Sequence, residues 1–206
     1  MQPLERIRAV AVPMPESDIN TDQIVPGRFM HKPREDYGRY CFHDLRFDPQ
    51  GKPRPAFVLN RPAYAGARIL VAGPNFGCGS SREHAVFTLN DYGFRVVLAP
   101  SFGDIFFNNC FQNGVLPAVL PAEFAAALQA QLRATPGAEV EVDLAGQAVV
   151  APDGTRCSFP IDTFRKERLL QGHDELDLTL SLRPYIDAFE ARQRPLLPST
   201  DTPRHP

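Results

Sequence analysis

Short apolar runs, each followed by a polar turn and an amphipathic stretch, dominate the middle of the chain. Three aliphatic runs predict buried strands, at 68–72, 95–99 and 115–120. Two stretches with helical spacing of apolar residues lie between them, at 81–92 and 101–114. This order of strand, helix, strand, helix and strand predicts a parallel sheet covered by helices, and therefore an α/β fold.

The flanking segments extend this sheet. An apolar run at 7–12 predicts an opening strand, and the alternation over 138–161 predicts a β-hairpin or meander. Three more amphipathic segments predict helices, at 121–133, 162–172 and 182–193. We therefore expect one α/β domain over residues 1–194, with a β-rich extension and no interior boundary. The proline-rich segment 195–206 is expected to be a disordered tail.

Residues 31–56 break the regular pattern. They carry many charges, prolines and aromatic residues without a clear period, which predicts a long loop with one short helix at most. A structureless loop of this length in a compact domain usually has a function.

Composition and charge exclude several classes of protein. The net charge of -2 gives no sign of a nucleic-acid or anionic-membrane partner. No apolar run approaches the roughly 20 residues of a membrane span, and residues 1–12 lack the apolar stretch of a signal peptide. We expect a soluble, cytoplasmic protein.

The four cysteines do not form a recognisable ligand set. Cys41, Cys78, Cys110 and Cys157 are scattered, and none belongs to a CxxC pair. This spacing favours neither a disulfide framework nor a self-contained zinc or iron–sulfur site. We therefore expect this chain to bind no metal by itself.

The stretch GPNFGCGSSREHA, residues 73–85, carries the strongest chemical signal. Ser80 and Glu83 fit a capping box, in which Ser80 is the N-cap of the next helix. The same turn also fits an anion site, because a helix start presents N–H groups and Arg82 adds a planar fork for a carboxylate. Ser81 would add a hydroxyl donor, and Ser80 in this positive field would be suited to act as a base. The two interpretations are compatible.

Other candidate residues have weaker support. A thiolate pair of Cys78 and His84 is less favoured than an unreactive Cys78, because His84 should point away from the turn. Asp22 in NTDQIVPGRF could cap a turn or position a ligand. Arg28 and Arg34 could equally be surface charges or anion clamps.

Several segments together resemble a known family. The segments are DINTDQIVPGRF, NFGCGSSREHA, VVLAPSFGDIFFNNCFQNGVLPAVL and the run at 57–70. They are similar to the small subunits of 3-isopropylmalate dehydratases, within the aconitase superfamily, over roughly residues 7–190. The pairing of GSSREHA with PSF-x-DIFFNN is specific, whereas TDQI alone is not.

The resemblance implies a fold and a set of roles. The fold would be the swivelling β/β/α domain of aconitase, closing over a large subunit that holds a [4Fe–4S] cluster. Ser80 would be the proton-transferring base, and Ser81 and Arg82 would hold a substrate carboxylate. Asp22, which matches the aspartate of the T-D-x-I motif, would also bind the substrate, and an ungapped count places a substrate-binding arginine at Arg34.

The implied reaction is a hydro-lyase isomerisation of 2-isopropylmalate through the unsaturated dicarboxylate. Related small subunits act on homoaconitate, citraconate or dimethylmaleate, and the loop after T-D-x-I, which sets this choice, does not reveal the substrate. A protein of another class, a dicarboxylate-binding module without catalysis, would use the same helix terminus.

Overall fold

The structure, a computed structural model, describes residues 1–173 and 175–193. Within these residues, seven strands form one mixed sheet in the order β4-β3-β2-β1-β5-β6-β7. The strands are β1 Arg6–Met14, β2 Ile69–Ala72, β3 Val96–Ala99, β4 Leu116–Val119, β5 Glu139–Asp143, β6 Ala148–Val150 and β7 Arg156–Ser158.

Helices of very different lengths connect these strands. The α-helices are α1 Thr21–Ile24, α2 His43–Arg46, α3 Glu83–Tyr92, α4 Asp104–Gln112, α5 Ala122–Ala134, α6 Thr163–Gln171, α7 Glu175–Ser181 and α8 Arg183–Gln193. Short 3-10 turns occupy Gly27–Phe29, Tyr37–Tyr40, Val58–Asn60 and Pro62–Tyr64. In the described part of the chain, no helix is long and apolar enough to cross a membrane.

The sheet has a parallel half and an antiparallel half, and β1 belongs to both. Its second part pairs in parallel with β2, beginning with Ala11 beside Ile69. Its first part pairs antiparallel with β5, with Arg6 beside Asp143. Strands β2, β3 and β4 run parallel, and the residues of β2 and β3 are all buried, as expected for a sheet covered on both faces. The predicted parallel sheet and meander are both confirmed.

The segment 31–56 is more ordered than its sequence predicts. It contains a 3-10 turn and the single-turn helix α2, and Tyr37, Tyr40, Cys41 and Phe42 are all buried in one of the two apolar cores. Their aromatic rings give this irregular segment enough apolar surface to pack against α3. The predicted long loop with a short helix is therefore present, whereas the burial of its aromatic residues was not predicted.

Three helices, α6, α7 and α8, end the described part of the chain, and the sequence predicted two of them. The predicted helices at 162–172 and 182–193 are present as α6 and α8, whereas α7 was not predicted. The side chain of Asp162 caps α6 by accepting a hydrogen bond from the Arg165 N–H, at 3.1 Å. The predicted tail 195–206 lies outside the described residues.

Candidate active site

The candidate site lies at the carboxyl end of β2, where the loop 73–82 runs beside the segment 18–22. Backbone hydrogen bonds join the two: the Gly77 N–H donates to the Ile19 carbonyl at 2.7 Å, and the Thr21 N–H donates to the Cys78 carbonyl at 3.0 Å. The carboxyl edge of parallel strands is where ligands bind in open α/β sheets. The two sequence motifs therefore meet at an edge suited to ligand binding.

Gly77 allows this loop to pass close to α4. Its φ of +73° is in the left-handed region, and a Cβ built there would lie 2.2 Å from Cγ of Phe106. Both the backbone conformation and the contact with the aromatic ring therefore require glycine. Gly79 also has a positive φ, of +92°, but the nearest atom to a Cβ there is 3.5 Å away.

We expect Gly77→Ala to lower the free energy of unfolding by about 3 kcal/mol, from left-handed strain and overpacking together. Gly79→Ala is the matched control, because it has the backbone strain without the clash and should cost about 1 to 2 kcal/mol. Denaturant unfolding of both variants measures the difference. Equal losses would show that Phe106 gives way and that the close contact does not matter.

The start of α3 differs from the predicted capping box. The helix begins at Glu83, its N-cap is Arg82 in an extended conformation, and no side chain caps it. Ser80 lies two residues before that cap, so the prediction of Ser80 as N-cap was wrong. The physical reason is tertiary, because the bridge between Asn20 and Cys78 and the hydrogen bond from the Thr21 hydroxyl to the Ser80 carbonyl hold the loop along segment 18–22.

Ser101 stands three residues before Asp104, a spacing that predicts Ser101 as the cap of α4, and this prediction was also wrong. Gly103 is the N-cap of this helix and makes no side-chain cap bond. The Ser101 hydroxyl instead accepts a hydrogen bond from the Asn75 N–H, at 2.8 Å. Ser101 therefore supports the loop of the candidate site rather than the helix.

Ser80 and Ser81 present free hydroxyls on a fixed backbone. Both residues are exposed, and neither hydroxyl has a hydrogen-bond partner among the residues that the structure describes. The Ser80 carbonyl accepts a hydrogen bond of 2.9 Å from the Thr21 hydroxyl, whose residue is only 1% exposed. Sequence reasoning missed Thr21, although it stands beside Asp22 in the motif. A buried hydroxyl of this kind holds the position of Ser80.

If Ser80 is the base that the resemblance implies, Thr21→Val should lower kcat of the complex with the implied large subunit roughly tenfold, because Ser80 would lose the bond that fixes its backbone. Thr21→Ser keeps the hydroxyl and should restore most of kcat. Steady-state kinetics and thermal melts of both variants separate positioning from stability. A purely structural role would leave kcat of folded Thr21→Val at the wild-type value.

Arg82 points toward the segment that carries the T-D-x-I motif. Its Nη1 donates a short hydrogen bond to Oδ1 of Asp22, so the two form an ion pair. The Arg82 side chain is 17% exposed, and that of Asp22 is 56% exposed. Nε and Nη2 of Arg82 have no partner among the described residues, so part of the fork is free for an anion. Asp22 thus contacts Arg82 and orients it.

Arg34 lies along α3, away from the other predicted site residues. Its guanidinium stacks 3.7 Å from the centroid of the Phe87 ring, and its Nη2 lies 3.7 Å from Oδ1 of Asp91. Within the described residues it makes no ion pair or hydrogen bond with Asp22, Ser80, Ser81 or Arg82. The structure therefore brings four of the five predicted site residues together and leaves Arg34 outside.

Arg28, the other arginine considered as an anion clamp, is paired with a carboxylate. It donates two hydrogen bonds to Asp44, one of them 2.8 Å long from Nη1 to Oδ2. The hydrogen bond from Arg28 lowers the pKa of Asp44 to about 2, so the pair stays charged at neutral pH. Arg28 is thus a surface ion-pair partner rather than a free anion clamp.

The cysteines and His84 do not form a reactive pair. The Cys78 Sγ lies 3.4 Å from the Asp18 carbonyl, whereas His84 packs against Tyr37 and Phe87. Burial raises the pKa of the Cys41 and Cys110 thiols, which makes both unreactive. Over residues 1–173 and 175–193, no group of three or more His, Cys, Asp or Glu side chains could hold a metal ion.

Family models match most of the chain. The model of the aconitase C-terminal domain matches residues 1–123, which include the two motifs of the candidate site. A second model, described as LeuD_N, matches residues 126–163, in the part of the chain that contains the antiparallel strands. The matches agree with the mixed sheet and with the expected fold, the aconitase-type domain.

Individual relatives give the same result over nearly full length. The chain is 47% identical over 204 residues to the 3-isopropylmalate dehydratase small subunit of Dechloromonas aromatica, covering 94% of this chain and 96% of the relative. It is 48% identical to the protein of that name from Rhodospirillum centenum, covering 94% and 96%. The crystal structure of a 3-isopropylmalate dehydratase from Methanocaldococcus jannaschii matches with a TM-score of 0.63 and 25% identity, over 90% of this chain and 99% of that one. The chain therefore belongs to the 3-isopropylmalate dehydratase small-subunit family, with the aconitase-type fold.

Proposed function

We propose that this chain supplies the proton-transferring and carboxylate-binding half of a hydro-lyase that interconverts 2-isopropylmalate and 3-isopropylmalate in leucine biosynthesis. The observation that supports the proposal best is the grouping of Ser80, Ser81 and Arg82 beside Asp22 at the carboxyl edge of the sheet. Membership of the small-subunit family adds the reaction class.

Each of these residues has a role that its chemistry permits. Ser80 takes the proton from the carbon next to the one that bears the hydroxyl group. Ser81 and Arg82 hold a substrate carboxylate and stabilise the negative charge that develops on it during proton removal. Asp22 keeps the Arg82 guanidinium in place through their ion pair, since a direct contact between Asp22 and a substrate carboxylate would be repulsive.

The remaining half of the site is assigned to a large subunit. Relatives named as small subunits imply such a partner. We propose that this partner holds a [4Fe–4S] cluster, as the membership of the aconitase superfamily implies. When bound there, the cluster supplies a Lewis acid for the departing hydroxyl. Closure of the two chains would exclude water from the reaction.

Two assignments stay predictions, namely substrate binding by Arg34 and a location in the cytoplasm. Arg34 would have to leave Phe87 and Asp91 to reach a substrate held by Arg82. Its role in substrate binding therefore depends on movement of segment 31–56 when the large subunit binds. A location in the cytoplasm is likewise a prediction.

The test is reconstitution with the large subunit under anaerobic conditions, followed by a panel of substrates. We expect kcat/KM to be highest for 2-isopropylmalate, with homoaconitate, citraconate and dimethylmaleate well below it, and no activity from this chain alone. A higher value for one of the other three would reassign the substrate. Binding of dicarboxylates without turnover by the complex would favour the non-catalytic binding module.

A further inference from the structure

A polar cleft lies at the amino ends of the parallel strands, opposite the candidate active site. It has a volume of about 340 Å³ and is formed where the chain enters β2 and β3, at Arg68 and Arg95. Ser80 follows the other end of β2, so the cleft is separated from the candidate active site by the length of the strands. Its lining also includes Gln2, Asn90, Asp91 and Asn113.

Arg95 is a buried cation held only by neutral acceptors. The residue is 7% exposed, and its guanidinium donates to the Gly114 carbonyl at 3.1 Å and to Oε1 and the carbonyl of Gln2 at 2.9 and 2.7 Å. A guanidinium has five N–H donors, so two remain after these three bonds. Among the described residues, no carboxylate lies within ion-pair distance. Buried charges are normally paired, so this one has an unmet preference for an anion.

Arg68 adds a second positive charge to the same cleft. It is exposed and makes no ion pair or hydrogen bond through its side chain within the described ranges. Burial, and then repulsion from Arg68, lowers the pKa of Arg95. Two guanidinium groups that repel each other would both be stabilised by an anion placed between them.

The other polar residues of the lining do not neutralise the two guanidinium groups. Asp91 is the acidic residue of the lining, and it already accepts a hydrogen bond from the Tyr37 N–H at 3.3 Å and lies 3.7 Å from Arg34. Asn90 donates its side-chain N–H to the Asn113 carbonyl at 2.9 Å. The guanidinium groups of Arg68 and Arg95 keep free donors, whereas the ammonium of Met1, another residue of the lining, donates to the Gly172 carbonyl at 2.8 Å.

We propose that this cleft is a binding site for a small oxyanion, a phosphate or carboxylate group held between Arg68 and Arg95. Planar guanidinium forks match the oxygen spacing of both groups. The volume lies at the lower end of the range for small-molecule sites, so a compact ligand fits it. The site is independent of the proposed dehydratase activity.

Calorimetry on the full-length chain tests this proposal, with inorganic phosphate and succinate titrated at constant ionic strength. We expect saturable binding of at least one of the two, with a component that is weakened at least about tenfold in Arg68→Gln through loss of a charge-assisted contact. Arg68 is the residue to change, because it is exposed and its loss should not unfold the protein. The ligand that binds more tightly distinguishes a phosphate site from a carboxylate site.

Two control variants test at which site the anion binds. Arg156→Gln removes an exposed positive charge from β7, and Arg82→Gln removes the anion-binding arginine of the candidate active site. Arg156→Gln should bind the anion as the wild type does, and Arg82→Gln should keep the component of binding that Arg68→Gln weakens. The proposal is overturned if neither anion binds, if Arg68→Gln binds both anions as tightly as the wild type does, or if Arg82→Gln loses all anion binding. Because binding rather than turnover is measured, these outcomes do not depend on the proposed function.

Discussion

Replacing Ser80 with alanine should lower kcat of the reconstituted enzyme by at least about 10²-fold, the low end expected for a positioned base. Its thermal stability should barely change, within about 0.5 kcal/mol, because Ser80 is exposed and does not cap α3. The sequence pattern allowed Ser80 to be both the N-cap of α3 and a base, and the structure removes the role as N-cap. Steady-state kinetics and thermal melts on the same preparations measure both effects.

Ser81→Ala is the matched control for Ser80→Ala. The two serines are adjacent and exposed, but Ser81 is assigned to carboxylate binding. Its loss should therefore raise KM more than it lowers kcat. If Ser80→Ala kept more than about a tenth of wild-type kcat, the base would have to be another group.

The second large effect is expected for Arg82→Lys, with a loss in kcat/KM of about 10²-fold, equivalent to about 3 kcal/mol. Lysine keeps the charge but loses the planar fork that can hold Asp22 and a substrate carboxylate together. Kinetics of the reconstituted complex measure the loss. Near-wild-type kinetics would remove Arg82 from the carboxylate site.

Asp22→Asn helps to interpret the Arg82 result. This change keeps the size of the side chain but weakens the ion pair that orients Arg82. If Asp22 acts only through Arg82, the double variant Asp22→Asn with Arg82→Lys should be little worse than Arg82→Lys alone. Fully additive losses would indicate that Asp22 has a separate contact with the substrate.

The parallel half of the sheet and the motif of the candidate site could be predicted from the sequence. Strands β2 and β3 are continuous apolar runs between helical segments, and both faces are buried as that pattern requires. The glycines and serines of 77–81 are a local signal of a tight turn with exposed donors. Each of these features is encoded by residues that are close in sequence.

Features that depend on distant contacts could not be predicted in this way. Ser80 and Glu83 satisfy a local capping pattern, but the Thr21 hydroxyl donates a hydrogen bond to the Ser80 carbonyl, and the helix begins only at Glu83. Likewise α7 has leucines at every second position of ELDLTLS, a pattern typical of a strand rather than a helix.

The most direct test of the central claim, that Ser80 transfers the proton, is deuterium incorporation during turnover in D₂O. In the wild-type complex, NMR should show solvent deuterium in recovered 2-isopropylmalate, at the methylene next to the carbon that bears the hydroxyl group. The account predicts that Ser80→Ala lowers this exchange and the turnover together, each by at least about 10²-fold. Exchange at the wild-type rate in Ser80→Ala, with turnover alone reduced, would contradict it.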